Sequence, residues 1–394
     1  MSPKSEISLR ESNLSDSQRL NQFFSSIAVD GKISIKVRRH VDFFSFYQRL
    51  NLEFKNFIFE TSKKPSAQEV TNIDQNSKEV LGTASFLFQN RLLNKESVKI
   101  ALACDLRVSS QRKAILHWSQ FFLPELKKLK TEFKIDHFIT SINLTEFKVI
   151  NAFLRPRKTQ DYLPVYELIK KFNLVSIHGF LPFLFQTNKN IFVSNYQPSD
   201  KEALLIYIKK QLTKYDLVSA NISDHLENTI QDSLIYAFQN FIIAKNSKGE
   251  IIGCTHPINS SLLQDYLPQK YDQQSNNFRQ FLKFASILGF ARTLTRPFSR
   301  THKEQTLSFK VLHFLFFDHA EVLKSLIHFT YKNSKLNEFI LYAYQDKQYA
   351  SRPPKGCLYS KTPYALFEIK NPEDSSRFSS LKNVNNFYLD YLWF

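Results

Sequence analysis

The sequence is poor in the residues that cross-link a chain or loosen it: its 394 residues include 3 cysteines and 7 glycines. Cys104, Cys254 and Cys357 are far apart and show no metal-ligand spacing, so the sequence predicts neither a disulfide framework nor a metal site and indicates a reducing compartment. No run of about 18 apolar residues occurs, and the polar N-terminus lacks the apolar core of a signal peptide. We therefore predict a cytoplasmic protein without a membrane span.

Positive charge is in excess, with 53 Lys and Arg against 36 Asp and Glu and a formal net charge of +17. Such an excess makes anionic partners plausible, among them CoA, nucleic acid or a phosphorylated substrate. The basic residues are spread along the chain without a dense block, so nucleic acid is a possible partner but not the favoured one. No Gly-x-Ser-x-Gly, P-loop or dinucleotide-binding fingerprint occurs.

Aromatic residues are abundant, at 14% of the chain with 38 Phe, which is typical of a packed globular protein. A chain of this length exceeds what one core usually organises, so two domains are expected. Order is predicted to begin near Ile33, after a flexible segment over residues 1–30. A helix is then expected from the spacing of Phe43, Tyr47, Leu50, Phe54 and Phe57.

Residues 98–108 alternate as a half-buried strand. One predicted face carries Val98, Ile100, Leu102, Cys104, Leu106 and Val108, and the other carries Lys99, Ala101, Ala103, Asp105 and Arg107. A short polar turn follows, and an amphipathic helix begins at once. Because the first N–H groups of a helix are unpaired and the macrodipole is positive there, this junction is suited to an anion.

The junction resembles the pyrophosphate loop of the GNAT superfamily of acyl-CoA N-acyltransferases, which reads (Arg/Gln)-x-x-Gly-x-(Gly/Ala) after a strand ending Leu-x-Val. The matching residues are Leu106, Arg107 and Val108, followed by Gln111, Arg112, Lys113, Ala114, Ile115 and Leu116. Ala114 and Leu116 replace the two glycines. The resemblance implies that acetyl-CoA or another acyl-CoA is bound by Leu106, Arg107, Val108, Ser109, Ser110, Gln111, Arg112, Lys113, Ala114 and Ile115.

GNAT chemistry needs a neutral acceptor amine, a polarised thioester carbonyl and a proton for the leaving thiolate. By position, backbone N–H groups near Arg107 and Val108 polarise the carbonyl, and Asp105 is the candidate base or the ion-pair partner of Arg107. The family's Tyr acid, counted from Asn143, falls on Ile150. Tyr162 and Tyr166 are therefore the substitutes for it.

The order of elements appears twice, and Glu250-Ile251-Ile252-Gly253-Cys254 repeats Glu79-Val80-Leu81-Gly82-Thr83. The fold class predicted is α/β (α+β), with two tandem GNAT-like domains, each a central mixed sheet flanked by helices. The division is residues 31–187 and 188–394, with a basic insert at 261–306. In the second copy the turn contains Asp318 and Glu321, which would repel a pyrophosphate.

Three functions remain open at this point. The leading one is transfer of an acyl group, acetyl in the first instance, from CoA to an amine of a small molecule or peptide, by the first domain. The second is an aminoacyl-tRNA-dependent transferase of similar fold. The third is a non-catalytic GNAT-like binding protein. The basic insert between residues 261 and 306 is predicted either to cap a shared cleft and bind an anionic acceptor or to be a solvated surface excursion. It favours the tRNA-dependent function, and Gln111 in the loop counts against that function.

Overall fold

The first half of the chain forms antiparallel strands followed by one parallel strand–helix–strand unit, and a further strand follows that unit. The computed structural model describes residues 6–40, 42–62, 78–146, 150–151, 163–262, 264–299, 304–345, 348–374, 380–384 and 386–389. The elements of the first half are β1 (Glu6–Glu11), α1 (Ser17–Ser26), β2 (Ile33–Arg39), α2 (Ser45–Arg49), β3 (Glu53–Ser62), β4 (Glu79–Leu93), β5 (Glu96–Val108), α3 (Arg112–Phe133), β6 (His137–Asn143) and β7 (Val165–Phe180).

The second half repeats this order with one long addition. Its elements are β8 (Phe192–Asn195), α4 (Lys201–Leu212), β9 (Val218–Ser219), α5 (Ala220–Asp224), α6 (Leu226–Gln231), β10 (Ile242–Lys245), β11 (Ile251–Asn259), β12 (Gln264–Tyr271), α7 (Gln273–Ile287), β13 (Ser308–Phe317), α8 (Ala320–Lys332), β14 (Glu338–Gln345) and β15 (Cys357–Lys370). The β4–β5 connection is a two-residue turn with Asn94 and Lys95 at positive φ. In the second half β12 and α7 are inserted at the equivalent place.

The two halves join in one continuous mixed sheet with the order β1-β3-β4-β5-β6-β15-β7-β14-β13-β11-β10-β8. β7 follows β6 in the chain but lies beyond β15, and β15 follows β14 but lies beyond β7. Each half is thus closed by the last strand of the other. The predicted division at residue 188 falls between β7 and β8 in the chain, while in space the halves are interleaved through β7 and β15, which pair along their whole length.

Parallel pairing occurs at one junction in each half. β5 and β6 are parallel around α3, and β13 and β14 are parallel around α8. α3 packs on the sheet through Trp118, Phe122 and Leu126, which are buried with Phe86 of β4. α8 packs on it through Leu323 and Ile327, which are buried with Ile340 of β14. The spacing of these side chains is that of an amphipathic helix packed on a sheet.

The N-terminal segment is not flexible over the residues that the structure describes, contrary to the sequence prediction. β1 pairs antiparallel with β3, and Leu20 and Phe24 of α1 are buried. The fully buried Glu60 accepts hydrogen bonds from Arg10 and Arg19, and Arg10 also pairs with Asp16. Since these polar contacts come from distant parts of the sequence, hydrophobic periodicity alone did not reveal them.

The helix predicted from Phe43 to Phe57 is much shorter in the structure. α2 ends at Arg49, Asn51 adopts a left-handed conformation with φ 51°, and the chain continues as β3. Asn tolerates that conformation better than most residues, so it is a natural place for a helix to stop. Phe57 therefore lies on a strand, where it is buried beneath α3.

A second, two-stranded sheet covers part of the large one. β12, from the insert, pairs antiparallel with β2 over Ile33–Arg39 and Gln264–Tyr271. α7 follows it directly, and its N-cap is Asp272, whose side chain accepts a hydrogen bond from the Ser275 backbone N–H. Among the helices that the structure describes, none is long and apolar enough to cross a membrane.

Candidate functional site

A cavity opens where β5 and β6 separate. Their parallel pairing covers only Ile100–Leu102 and His137–Ile139, although β5 runs on to Val108 and β6 to Asn143. Beyond this point Thr140 Oγ1 donates a hydrogen bond to the Ala103 carbonyl at 3.0 Å. The strands then diverge around a cavity of about 380 Å³. Because the sheet ladder stops here, backbone groups on the facing edges of β5 and β6 are released from pairing with each other.

The cavity is lined mainly by apolar side chains from both faces of the sheet. Those from the first half include Phe24, Ile33, Val37, Phe86, Leu102, Ala103, Phe122 and Ile142. The second half contributes Gln264 and Tyr266 of β12 and Tyr364 and Ile369 of β15. The strand exchange and the insert therefore place residues of the second half in a cavity of the first.

A β-bulge in β5 decides which side chains face this cavity. Asp105 has φ 55°, and the register against β4 shifts between the pairs Thr83–Arg107 and Ser85–Cys104. One extra residue in a strand moves every following side chain to the other face. Leu106 and Val108 accordingly pack on the α3 side with Ala101, not with Leu102 as the simple alternation predicts.

The bulge turns Asp105 towards α1 and α2, where it meets a buried arginine. Arg39 Nη2 lies 2.5 Å from Asp105 Oδ2, and the Tyr47 hydroxyl donates to the same oxygen at 2.5 Å. Burial opposes ionisation of Asp105, but Arg39, Tyr47 and Arg107 outweigh it and lower the pKa of the carboxyl. Asp105 is therefore a stable carboxylate committed to an ion pair with Arg39, where the sequence had suggested Arg107.

Four aromatic rings surround the Arg39 guanidinium. Its central carbon lies 4.3 to 5.0 Å from the ring centroids of Phe24, Phe43, Phe46 and Tyr47. Cation–π contacts and one charge-assisted pair stabilise a guanidinium that is almost fully buried. The ion pair with this enclosed guanidinium holds the Asp105 side chain, and with it the bulge, in one position.

A second carboxyl, Glu146, lines the cavity just beyond the end of β6. Desolvation raises its pKa from 4.5 to about 7; Arg107 lowers it and Asp30 raises it. Among the residues that the structure describes, none donates a hydrogen bond to its side chain. Arg107, which also lines the cavity, donates to the Leu106 carbonyl and stacks on Phe24. Glu146 is thus a carboxyl that changes protonation near neutral pH inside the cavity.

The predicted phosphate-binding turn begins one residue after β5. The Ser109 N–H donates to the Leu81 carbonyl, and Gln111, the N-cap of α3, makes no side-chain cap but donates to Glu79. Ala114 is fully buried in the core, so its contribution to a ligand is limited to its backbone. The side chains of Arg112, Lys113 and Ile115 lie outside the described part of the chain. Gln111 leaves the first N–H groups of α3 without a side-chain cap, and unpaired N–H groups at a helix start suit an anion.

The equivalent junction in the second half has the same backbone plan but is filled. Gly253 pairs with Phe317 as Gly82 pairs with Val108, and Phe314 has φ 47° at the position of Asp105. Phe314, Phe316 and Tyr388 occupy the space between β13 and β14 and leave a cavity of about 50 Å³. Asp318 accepts hydrogen bonds from Tyr207 and Gln211 at the start of α8. Asp318 thus lies at the start of α8, where the sequence predicts that it would repel a pyrophosphate.

The structure brings together some of the predicted site residues and adds others. Asp105, Arg107 and Tyr166 line one cavity, whereas Tyr162 lies outside the described residues. Burial raises the pKa of the Tyr166 phenol, so it stays protonated. Sequence reasoning missed Arg39, Glu146 and Tyr364. For Glu146 a signal existed, since it lies three residues after Asn143, the last residue of a predicted strand.

Comparison with known proteins gives the fold a context. No protein-family model matches the chain, and no curated protein sequence matches it. Among solved structures, a GCN5-related N-acetyltransferase from Sphaerobacter thermophilus superposes with a TM-score of 0.51 at 7% identity, over 93% of this chain and 96% of that one. The N-myristoyltransferase of Saccharomyces cerevisiae with bound myristoyl-CoA superposes with a TM-score of 0.52 at 8% identity, over 99% of this chain and 90% of that one. The chain has the GNAT-type acyl-CoA N-acyltransferase fold.

Proposed function

We propose that the protein is an acyl-CoA-dependent N-acyltransferase whose reaction takes place in the cavity between β5 and β6. The observation that carries the proposal is the difference between the two junctions. The first is open at about 380 Å³ and holds ionisable groups, and the second is filled by aromatic side chains to about 50 Å³. Acyl-CoA is the co-substrate that fits the fold, since both structural neighbours described above are acyl transferases and one holds myristoyl-CoA.

The CoA pyrophosphate is assigned to the start of α3. Backbone N–H groups of residues 110–115 would be offered there, since that of Ser109 already donates to the Leu81 carbonyl, and Arg112 and Lys113 would add positive charge. The helix macrodipole disfavours cations in the first turn, so Arg112 and Lys113 are unfavourable there unless an anion is bound. In the second half the corresponding site carries Asp318 and Glu321, so replacing these two by Lys should change CoA binding little.

The acyl carbonyl is assigned to the edge of β5 beside the bulge. The backbone N–H of Val108 would polarise it, because donors fixed in a water-poor site stabilise charge that develops during the reaction. Of the two N–H groups that the sequence suggests for this role, the one at Arg107 faces β4, since the Ser109 N–H donates to the Leu81 carbonyl of β4 and N–H directions alternate along a strand. Asp105 and Arg39 would act indirectly, by holding the bulge in place. This role suits a carboxylate whose pKa is lowered by an ion pair better than the role of base does.

Glu146 is the proposed base. It would take the proton from the acceptor amine as the new N–C bond forms and the C–S bond of the thioester breaks. A carboxyl with a pKa of about 7 can accept this proton at neutral pH. Tyr166, or Tyr162 from outside the described residues, is proposed to protonate the leaving thiolate. The products are an amide and free CoA.

The acceptor is proposed to be a small-molecule or peptide amine, with acetyl as the first acyl group to examine. The apolar lining also favours longer chains, because each buried CH₂ contributes about 0.8 kcal/mol. Calorimetry with CoA, acetyl-CoA and long-chain acyl-CoA tests binding, and release of free thiol in the presence of amines tests transfer. Binding without thiol release would favour a binding protein. Failure to bind any of the three, together with binding of aminoacyl-tRNA, would favour the tRNA-dependent alternative.

A further inference from the structure

An exposed apolar surface lies on α7 and the turn after β7, remote from both junctions. Six large side chains there are between 47% and 78% exposed. They are Phe183, Leu184, Phe281, Phe284, Ile287 and Leu288, and we call them the α7 surface. The two segments are adjacent, because the Phe180 N–H donates to the Phe290 carbonyl at 2.9 Å and the Phe183 and Phe290 ring centroids are 6.1 Å apart.

The α7 helix is apolar on two sides, and only one of them is covered. Leu282 and Ala285 are buried, and Phe278 packs against the same core. Phe281, Phe284 and Ile287 point away from that core into solvent. A contiguous exposed patch of large apolar side chains on a folded chain marks an interaction site rather than ordinary surface.

The charge beside this surface is mainly positive. The three segments that meet here are 179–190, 273–299 and 352–360, and together they contain no Asp or Glu. The one acid next to them in the sequence is Asp272, the N-cap of α7, at the far end of that helix from Ile287 and Leu288. The segments join through the Leu181 N–H, which donates to the Gly356 carbonyl, and through pairing of Cys357 with Phe180. Their basic residues are Lys189, Arg279, Lys283, Arg292, Arg296, Arg352 and Lys355.

Two of these cations are engaged within the fold, and the other five are exposed. Arg279 donates to Asn276 Oδ1 and lies over the Tyr271 ring. Arg292 is buried and donates to the carbonyls of Tyr331, Ser334 and Glu338 at the end of α8 and the start of β14. Lys283 is exposed on α7 between Phe281 and Phe284, and Lys355 is exposed next to Gly356, which contacts Leu184. Lys189, Arg296 and Arg352 are exposed on the same three segments. The result is an apolar centre with a basic rim.

We propose that the α7 surface binds peripherally to an anionic lipid bilayer. Its apolar side chains would enter the boundary between headgroups and acyl chains, and its basic rim would contact lipid phosphates and carboxylates. A second copy of this chain is a poorer occupant, because a two-fold contact would place the same positive charges opposite each other.

The test uses the full chain and sedimentation with vesicles of phosphatidylcholine, with and without phosphatidylserine. We expect binding to the anionic vesicles that weakens at high salt, and little binding to the neutral ones. Phe284→Asp with Ile287→Asp should lower the partition coefficient by more than roughly tenfold, because both apolar side chains leave the interface. Lys283→Glu with Arg296→Glu should also lower it, by roughly tenfold or more.

The matched control replaces two equally exposed apolar residues elsewhere, Leu14→Asp with Leu234→Asp, which are 72% and 77% exposed. This variant should bind vesicles as the unchanged protein does. Melting curves of all variants establish that each is folded, and the Lys283/Arg296 variant alters only exposed charges. The proposal is overturned if the unchanged protein binds neither vesicle, if the α7 variants bind as well as the control, or if sedimentation shows instead a dimer that they dissociate.

Discussion

Replacing Glu146 by Gln removes an ionisable group from the cavity while keeping its shape. If Glu146 is the base, turnover should fall by roughly 10² to 10⁴-fold, the usual contribution of a positioned base. Acyl-CoA binding should change little, since the pyrophosphate is assigned to α3. In the unchanged protein kcat/KM should fall with decreasing pH below about 7, because protonated Glu146 cannot accept a proton. The variant should lose this acidic limb.

The same substitution should stabilise the fold, and the sign follows from the pKa. The folded pKa of Glu146 is raised from 4.5 to about 7, so the folded state binds the proton more tightly than the unfolded chain does. The cost of the ionised group is absent well below pH 4.5 and complete above pH 7. At 1.36 kcal/mol per pKa unit, it amounts to about 3 kcal/mol at most, since the side chain is only partly buried. Glu146→Gln should therefore raise the free energy of unfolding at pH 8 and not at pH 4.

Urea unfolding at the two pH values and thiol-release kinetics across pH measure both effects. Glu202→Gln is the matched control, because Glu202 is an exposed carboxylate at the start of α4, away from the cavity. It should leave the rate unchanged and lower the free energy of unfolding by less than about 1 kcal/mol at pH 8, the scale of a carboxylate's interaction with the helix dipole. A Glu146→Gln variant that turns over at the normal rate would refute the assignment of the base, and a variant less stable at pH 8 would refute the reasoning on its pKa.

Three further changes test the rest of the site. Asp105→Asn should lower the free energy of unfolding by about 3 to 5 kcal/mol, measured in urea, because it leaves the buried Arg39 cation without its partner. A change below about 1 kcal/mol would contradict the role proposed for the Asp105–Arg39 ion pair. Arg112→Glu with Lys113→Glu should weaken CoA binding by about 1.5 to 3 kcal/mol in calorimetry, less at high salt, and equal affinity would place the pyrophosphate elsewhere. Ala103→Leu should weaken long-chain acyl-CoA more than CoA itself in the same assay, and an equal loss for both would move the acyl chain out of the cavity.

The elements that sequence predicted best are those whose evidence is local. The β5–α3 and β13–α8 junctions follow from a strand period of two that changes to a helical period within a few residues. The repeat of Leu81-Gly82 and Ile252-Gly253 also marked equivalent strands, and both glycines lie where an added Cβ would approach a neighbouring backbone oxygen at 3.1 Å. A close contact of this kind between strands can be recognised from the sequence because it requires a glycine at one position.

The features that sequence missed depend on contacts between distant residues. The bulge at Asp105 requires a non-glycine residue at positive φ, which no pattern in β5 announces, and it reverses the faces predicted for Leu106 and Val108. The raised pKa of Glu146 depends on its burial in the cavity and on the charges of Arg107 and Asp30. The exchange of β7 and β15 is likewise invisible, because each strand has an ordinary pattern and only the choice of partner is unusual.

Because of the strand exchange, the packing of the second junction also supports the strands that line the cavity of the first. β15 pairs with β6 over Tyr364–Ile369 and so carries Tyr364 and Ile369 into the first cavity. Its other partner, β7, is held by β14, which the aromatic filling of the second junction fixes against β13. Close packing of Phe314, Phe316 and Tyr388 therefore stabilises the frame on which one wall of the first cavity depends. A half of the chain expressed alone would lack a closing strand, and the first half would also lack the β12 side chains over its cavity.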